Sequence, residues 1–116
     1  MLDATVLTDT DPEMPVVAEE AFAPLTIVER FSNFESAIEM ANHSKYGLQA
    51  GVFTQDLSNL NYAVSNLEYG GVMINEVPTF RMDHMPYGGT KDSGLGREGL
   101  RYAIEEMTEL KILVMS

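Results

Sequence analysis

The fold turns on residues 25–75, LTIVERFSNFESAIEMANHSKYGLQAGVFTQDLSNLNYAVSNLEYGGVMIN. Residues 25–31 are rich in apolar and β-branched side chains and short enough for a buried strand. Ser32-Asn33-Phe34-Glu35 has capping-box spacing, in which the serine hydroxyl takes an orphan amide and the glutamate reaches back to the cap, so a helix is expected to begin there. Phe34, Ala37, Ile38 and Ala41 follow at offsets of three and four and define one apolar face, with Glu35 and Glu39 turned away. The helix is expected to stop near His43-Ser44. Residues 48–53 read as the next strand, and Asp56 as the cap of a second helix whose Leu57, Leu60, Val64 and Leu67 keep helical spacing. Gly70-Gly71 is expected to end that helix, and residues 72–75 form a third strand. The β-α-β-α-β alternation with tight connections predicts an α/β fold whose parallel strands are joined by helical crossovers.

Outward from this unit the signals thin. Residues 4–8 read as a short β segment, and the proline- and acid-rich stretch 9–15 as turns. Pro24 disfavours a helix through residues 16–24, which read as a loop entering a strand. Residues 76–96 carry no periodicity, but Phe80, Met82, Met85 and Tyr87 favour a packed, ordered loop over a disordered one. A helix is expected over 97–107, with Leu100, Ala103, Ile104 and Met107 on one face, and an apolar terminal strand over 111–116. No internal repeat or low-complexity tract occurs.

With 116 residues, 45% hydrophobic and 22% charged, the chain has an ordinary composition, and one domain with its own core is expected. No run approaches the roughly 18 apolar residues of a membrane span, and the N-terminus lacks a secretory pattern, so a cytoplasmic location is expected. The absence of cysteine excludes disulfides, thiolate metal sites and a cysteine nucleophile within these residues. A net charge of −11 argues against nucleic acid and anionic membranes as partners. The basic residues are unevenly spread: only Arg30 and Lys45 precede residue 81, whereas Arg81, Lys91, Arg97, Arg101 and Lys111 follow. An anion-binding surface therefore belongs near the glycine-rich residues 86–98.

Several motifs have a structural reading beside a functional one. Gly94-Leu-Gly96-Arg-Glu-Gly99 matches G-x-G-x-x-G, but no strand directly precedes it and no strand with an acidic end follows, so it does not read as a dinucleotide fingerprint. Its glycines suit a loop packed into a helix N-terminus, where Glu98 is either a first-turn acid or a functional carboxylate. The two histidines, His43 and His84, are 41 residues apart without ligand spacing; no metal site is expected and His84 reads as structural. Glu19-Glu20 is either a solvated acidic pair or a loop that presents one carboxylate to a ligand hydroxyl.

Taken together, the blocks Thr5-Val-Leu-Thr8, Glu19-Glu-Ala-Phe-Ala-Pro24, Tyr46-Gly-Leu-Gln-Ala-Gly-Val-Phe-Thr54, Gly71-Val-Met-Ile-Asn75, Met85-Pro-Tyr-Gly-Gly89, Lys91-Asp-Ser-Gly-Leu-Gly-Arg-Glu98 and Met107-Thr-Glu-Leu-Lys111 resemble, in order and spacing, the C-terminal part of the NAD(P)-dependent aldehyde dehydrogenase superfamily. The resemblance implies a partial catalytic domain over 1–110, part of the family's parallel-sheet domain, and an oligomerisation arm strand over 111–116 through which copies self-associate. It implies that Glu20 hydrogen-bonds the nicotinamide ribose of NAD or NADP and that Phe22 packs near the nicotinamide. Ala23 stands where the family usually has glycine, which bears on how the backbone presents Phe22. Phe80 is similar to the aromatic lining the family's aldehyde pocket, and the segment from Arg81 to His84 resembles the branch acting on small polar or phosphorylated aldehydes. Glu98 matches an accessory carboxylate at the inner end of the substrate channel, tied to proton movement or water ordering.

Family chemistry runs through a cysteine thiolate that attacks the aldehyde, hydride transfer to the nicotinamide, and thioester hydrolysis with a glutamate as general base. The cysteine, that glutamate and the cofactor domain lie upstream in the family. The expectation is therefore a piece of an aldehyde dehydrogenase, inactive by itself, that supplies ribose-contact, channel-lining and oligomerisation elements. The alternative is a free-standing structural or interaction domain that keeps the fold without the chemistry.

Overall fold

The structure is a computed structural model and describes residues 2–116, which form two compact units, residues 2–45 and 46–116.

In the first unit, β1 (Thr5–Thr8) pairs in parallel with β2 (Leu25–Val28), Thr5 opposite Leu25 and Thr8 opposite Val28. Alternate residues on each strand are half-buried, Leu7 and Ile27 among them, while Val6 and Val28 point to solvent. The crossover holds α1 (Pro15–Ala18), a single turn within the stretch read from sequence as loop. Pro15 sits at its first position, where a missing N–H costs nothing, so the proline that spoils a strand begins a helix. Beyond β2, α2 (Phe34–Asn42) begins one residue later than its motif suggests. The cap is Asn33, whose side chain accepts from the Ser36 amide at 2.8 Å while the Ser36 hydroxyl accepts from the Asn33 amide at 3.3 Å. Ser32 and Glu35 lose the role to this pair because asparagine is as strong a cap as serine and already stands at the turn. Ile38 is the one side chain in α2 that is fully buried.

In the second unit, β4 (Gln49–Val52) and β5 (Gly71–Ile74) run parallel, joined by α3 (Leu57–Asn66). Asp56 caps α3 as expected, its carboxylate accepting from the Ser58 amide at 2.7 Å. The face turned inward is Leu60, Ala63 and Leu67, with Ala63 wholly buried; Leu57 and Val64 are exposed. Gly70 and Gly71 do not end α3. The helix stops at Leu67 in extended geometry, leaving Gly70 for a close approach described below and Gly71 to open β5. Asn75 then turns the chain at φ 55°, and its side-chain oxygen accepts from the Thr54 amide at 2.9 Å beyond the end of β4. Asparagine tolerates this left-handed backbone better than any residue but glycine.

A two-residue strand on each side, β3 (Tyr46–Gly47) and β6 (Thr90–Lys91), forms an antiparallel pair that the sequence did not reveal. Finally, α4 (Leu100–Glu106) starts behind Gly99, whose φ of 122° only glycine takes without strain. Glu98 thus lies outside the helix and is no first-turn acid. Leu100, Ile104 and Met107, read as an inward face, are exposed instead, with Tyr102 and Ala103 half-buried.

The parallel pairs are β1–β2 in the first unit and β4–β5 in the second. The strand expected over 111–116 is not formed: residues 108–116 have no regular structure, and Leu110, Ile112, Leu113, Val114 and Met115 are exposed. A strand is completed by hydrogen bonds to a neighbour, and none of the described strands pairs with these residues.

Candidate functional site

Residues 19–24 form the loop that carries the first pair of candidates. The Ala23 amide donates to the Ala21 carbonyl at 2.9 Å and the Leu25 amide to the Ala23 carbonyl at 2.8 Å, two successive three-residue turns. Phe22 stands at the apex of the first and is 92% exposed. Glu20 is exposed one turn away from α1. The only non-glycine residues with positive φ among those described are Asp9, Asn75 and Lys91, so Ala23 sits in ordinary backbone and needs no glycine to present Phe22.

The same unit holds an open cleft of about 620 Å³ whose lining includes Thr10, Val17, Glu29, Met40 and His43, but neither Glu20 nor Phe22. Its wall is fixed by Glu29, which accepts from the Thr10 hydroxyl at 2.6 Å and the Thr10 amide at 3.0 Å. The hydroxyl first, then the amide, hold the Glu29 carboxyl below its ordinary value. The tie between this turn and β2 is therefore complete at neutral pH and is lost as pH falls through that lowered value.

The second group of candidates lies in residues 76–99. Residues 87–98 of this stretch close into a hairpin-like loop on a single antiparallel bridge. Tyr87 and Glu98 exchange backbone hydrogen bonds, Tyr87 amide to Glu98 carbonyl at 3.0 Å and Glu98 amide to Tyr87 carbonyl at 2.6 Å. Inside it, Arg97 donates to the carbonyls of Gly89 and Gly96 at 2.9 and 2.7 Å. The Ser93 hydroxyl accepts from the Gly47 amide at 2.9 Å, and Lys91 pairs with Glu68 at 2.9 Å. The glycine-rich segment is thereby tied to β3 and to the end of α3. Burial pushes the neighbouring Tyr69 phenol up, with Lys91 opposing.

Against this frame stands Arg81. Its guanidinium lies 3.2 Å from a Glu98 carboxylate oxygen and 4.3 Å from the centre of the Tyr87 ring. Phe80, one residue earlier, is about a third exposed, its carbonyl accepting from the Gln49 side chain at 3.3 Å. Arg81 and Glu98 are thus paired on the second unit, with Phe80 next to Arg81 along the chain, while Glu20 and Phe22 belong to the first. Tyr87 is the member that sequence reading missed: a tyrosine six residues after an arginine in an aperiodic loop gives no signal of their contact. His84 is exposed, and no cluster of three metal-ligating side chains exists among the described residues. No helix among them is long and apolar enough to cross a membrane.

The chain belongs to the aldehyde dehydrogenase family, whose model matches residues 1–113. Among curated relatives, it is 54% identical over 97 residues to lactaldehyde dehydrogenase of Methanococcus aeolicus, covering 84% of this chain and 21% of the relative. It is 45% identical over 112 residues to 3-sulfolactaldehyde dehydrogenase of Priestia aryabhattai, covering 97% of this chain and 24% of the relative. Among solved structures, aldehyde dehydrogenase 21 from Physcomitrella patens in complex with the reaction product succinate superposes with a TM-score of 0.90 at 44% identity, over 95% of this chain and 23% of that one. Glyceraldehyde-3-phosphate dehydrogenase GapN from Methanocaldococcus jannaschii complexed with NADP superposes with a TM-score of 0.82 at 44% identity, over 91% and 23%. The chain spans about a quarter or less of the length of these relatives.

Proposed function

We propose that this chain serves as the C-terminal part of an NAD(P)-dependent dehydrogenase that oxidises a small polar or anionic aldehyde to the carboxylic acid. The observation that carries the substrate reading is the Arg81 guanidinium, held by Tyr87 and Glu98. Relatives named for lactaldehyde and 3-sulfolactaldehyde, and a neighbour holding succinate, agree with an aldehyde that is short and hydrophilic. In this reading Phe80 lines the pocket, Arg81 meets the polar or charged end of the substrate, and Glu98 is an accessory carboxylate of the same wall.

NAD(P) accepts the hydride when bound, and the residues of the loop 19–24 fit part of it. The oxygens of an exposed carboxyl group accept hydrogen bonds, which suits ribose hydroxyl donors, and a 92% exposed aromatic ring is free to pack on a nicotinamide. Glu20 holds the ribose and Phe22 the ring. The thiolate nucleophile has to come from outside these 116 residues, which contain no cysteine, and the chain by itself is inactive. Residues 111–116 self-associate by adding a strand to another copy, which would cover Ile112, Leu113, Val114 and Met115.

The alternative, a free-standing structural domain, is less well supported. Only Ile38, Val52 and Ala63 form the fully buried apolar core of the described residues, while Phe22, Leu95, Leu100, Met107 and Leu110 stand out in solvent. Apolar surface on this scale belongs against other protein.

The test is NAD(P)H formation by a full-length dehydrogenase carrying this segment, with lactaldehyde and 3-sulfolactaldehyde compared. These differ by one sulfonate. Arg81→Ala is expected to lower kcat/KM for the sulfonate relative to the uncharged aldehyde by about tenfold, the scale of one partly exposed charge-assisted contact. An unchanged ratio, or preference for long aliphatic aldehydes, would reject the reading.

A further inference from the structure

Arg81 does not stand alone. We propose that Glu98 is its built-in counter-ion, a positioning residue that holds the guanidinium over Tyr87 until an anionic group on the aldehyde displaces it; this rests on the proposed role of Arg81 and assigns the charge selectivity of that site.

Three features of the wall lead there. The ring of Tyr87 takes the guanidinium on its face, at 4.3 Å, and the Glu98 carboxylate takes it on its edge, at 3.2 Å. The two groups keep their separation because their backbones are hydrogen-bonded to each other in both directions. Arg81 is thus oriented by neighbours fixed to a hairpin, although it sits in a loop.

The carboxylate contact is also the exchangeable one. Glu98 meets Arg81 through a single nitrogen, end-on, not by the two-point fork that arginine and carboxylate form when both are fully engaged. A substrate carboxylate, sulfonate or phosphate can occupy the fork and outcompete that contact. Within this chain Arg81 is 47% and Glu98 68% exposed, so no neighbour among the described residues locks the pair shut. Tyr87 meanwhile keeps the guanidinium in place through the exchange.

The consequence is moderated selectivity. An uncharged aldehyde meets a neutral ion pair, and an anionic one meets a cation already partly satisfied. Glu98→Gln removes the competing charge while leaving an acceptor oxygen of the same reach, so the cation becomes more attractive without losing its seat.

The experiment measures kcat and KM for lactaldehyde and 3-sulfolactaldehyde in a full-length dehydrogenase carrying this segment, as wild type, Glu98→Gln, Arg81→Gln and the double variant. Expected for Glu98→Gln is a fall of about three- to tenfold in KM for 3-sulfolactaldehyde relative to lactaldehyde, shrinking as salt screens the exposed charges. In the Arg81→Gln background the same change is expected to leave that ratio where it was. A Glu98→Gln variant that loses kcat equally on both aldehydes, with the KM ratio unmoved, overturns the proposal, because that is the signature of a carboxylate that handles protons or water. If Arg81→Gln shifts the ratio and Glu98→Gln does not, the counter-ion role alone fails. If Arg81→Gln itself shifts nothing, the substrate role of Arg81 fails and this inference with it.

Discussion

Gly70→Ala is expected to cost the chain about 3 kcal/mol of stability, at the upper end of what forced overpacking costs. A Cβ at Gly70 would overlap the Gly88 carbonyl oxygen and come within 2.8 Å of its carbon and 3.0 Å of the Gly89 Cα. All three atoms are backbone, in the part of the hairpin pinned by Arg97 to the Gly89 carbonyl, so none can swing aside as a side-chain end would. Replacing glycine also narrows the unfolded ensemble, which stabilises by only about 0.4–1 kcal/mol and cannot offset the clash. The thermal midpoint should drop by about 10 °C. Gly71→Ala is the control one residue away. Its Cβ would meet only movable atoms, Met73 Cε at 3.1 Å and Gln49 side-chain atoms at 3.4 Å, so a change within about 0.5 kcal/mol is expected. Melting curves that do not separate the two variants would mean that residues 88 and 89 are not held against residue 70.

The second large effect concerns cofactor affinity. In a full-length dehydrogenase carrying this segment, Glu20→Ala is expected to weaken NAD(P) binding about 10- to 100-fold, measured by calorimetric titration. Hydrogen bonds to an ionised group contribute about 1.5–3 kcal/mol each, and a carboxylate facing ribose hydroxyls makes at least one. The loop that presents it is stiffened by α1 and by the paired turns around Phe22. Little of the loss should therefore come from a floppier backbone. Glu20→Gln keeps an acceptor and gives up the charge, so it should fall between Ala and wild type. Wild-type affinity in Glu20→Ala would remove Glu20 from the cofactor site.

What could be read from sequence divides along physical lines. The cap at Asp56 and the apolar face of α2 were legible because they depend on residues within one or two turns of each other. The β4–α3–β5 unit followed from its periodicities, and its parallel pairing from the alternation. Pairing partners beyond that were not, since β1 seeking β2, or two-residue β3 seeking β6 across more than 40 positions, is decided by tertiary geometry that leaves no periodic trace. The inward face of α4 misread for a different reason: a helical stripe shows that a helix wants cover, not that cover is present. Arg81 and Glu98 were each noticed, yet their meeting was invisible, because a 17-residue separation through aperiodic chain carries no spacing rule. Glu20 and Phe22 would have stayed an acidic pair beside an aromatic without the family blocks around them.

The reciprocal hydrogen bonds between Tyr87 and Glu98 carry one more implication, for how this segment can change over generations. They shut the hairpin at its base, so everything Arg81 leans on is settled before the chain reaches its tip. The tip itself makes no contact within this chain: Leu95 is bare, and nothing lies within 4 Å of where a Gly94 side chain would begin. Lengthening a loop whose ends are already joined costs only about 0.6 kcal/mol for each doubling. Insertions between Ser93 and Gly96 thus leave the joined base alone, and what they cost is decided by whatever protein surface covers Leu95.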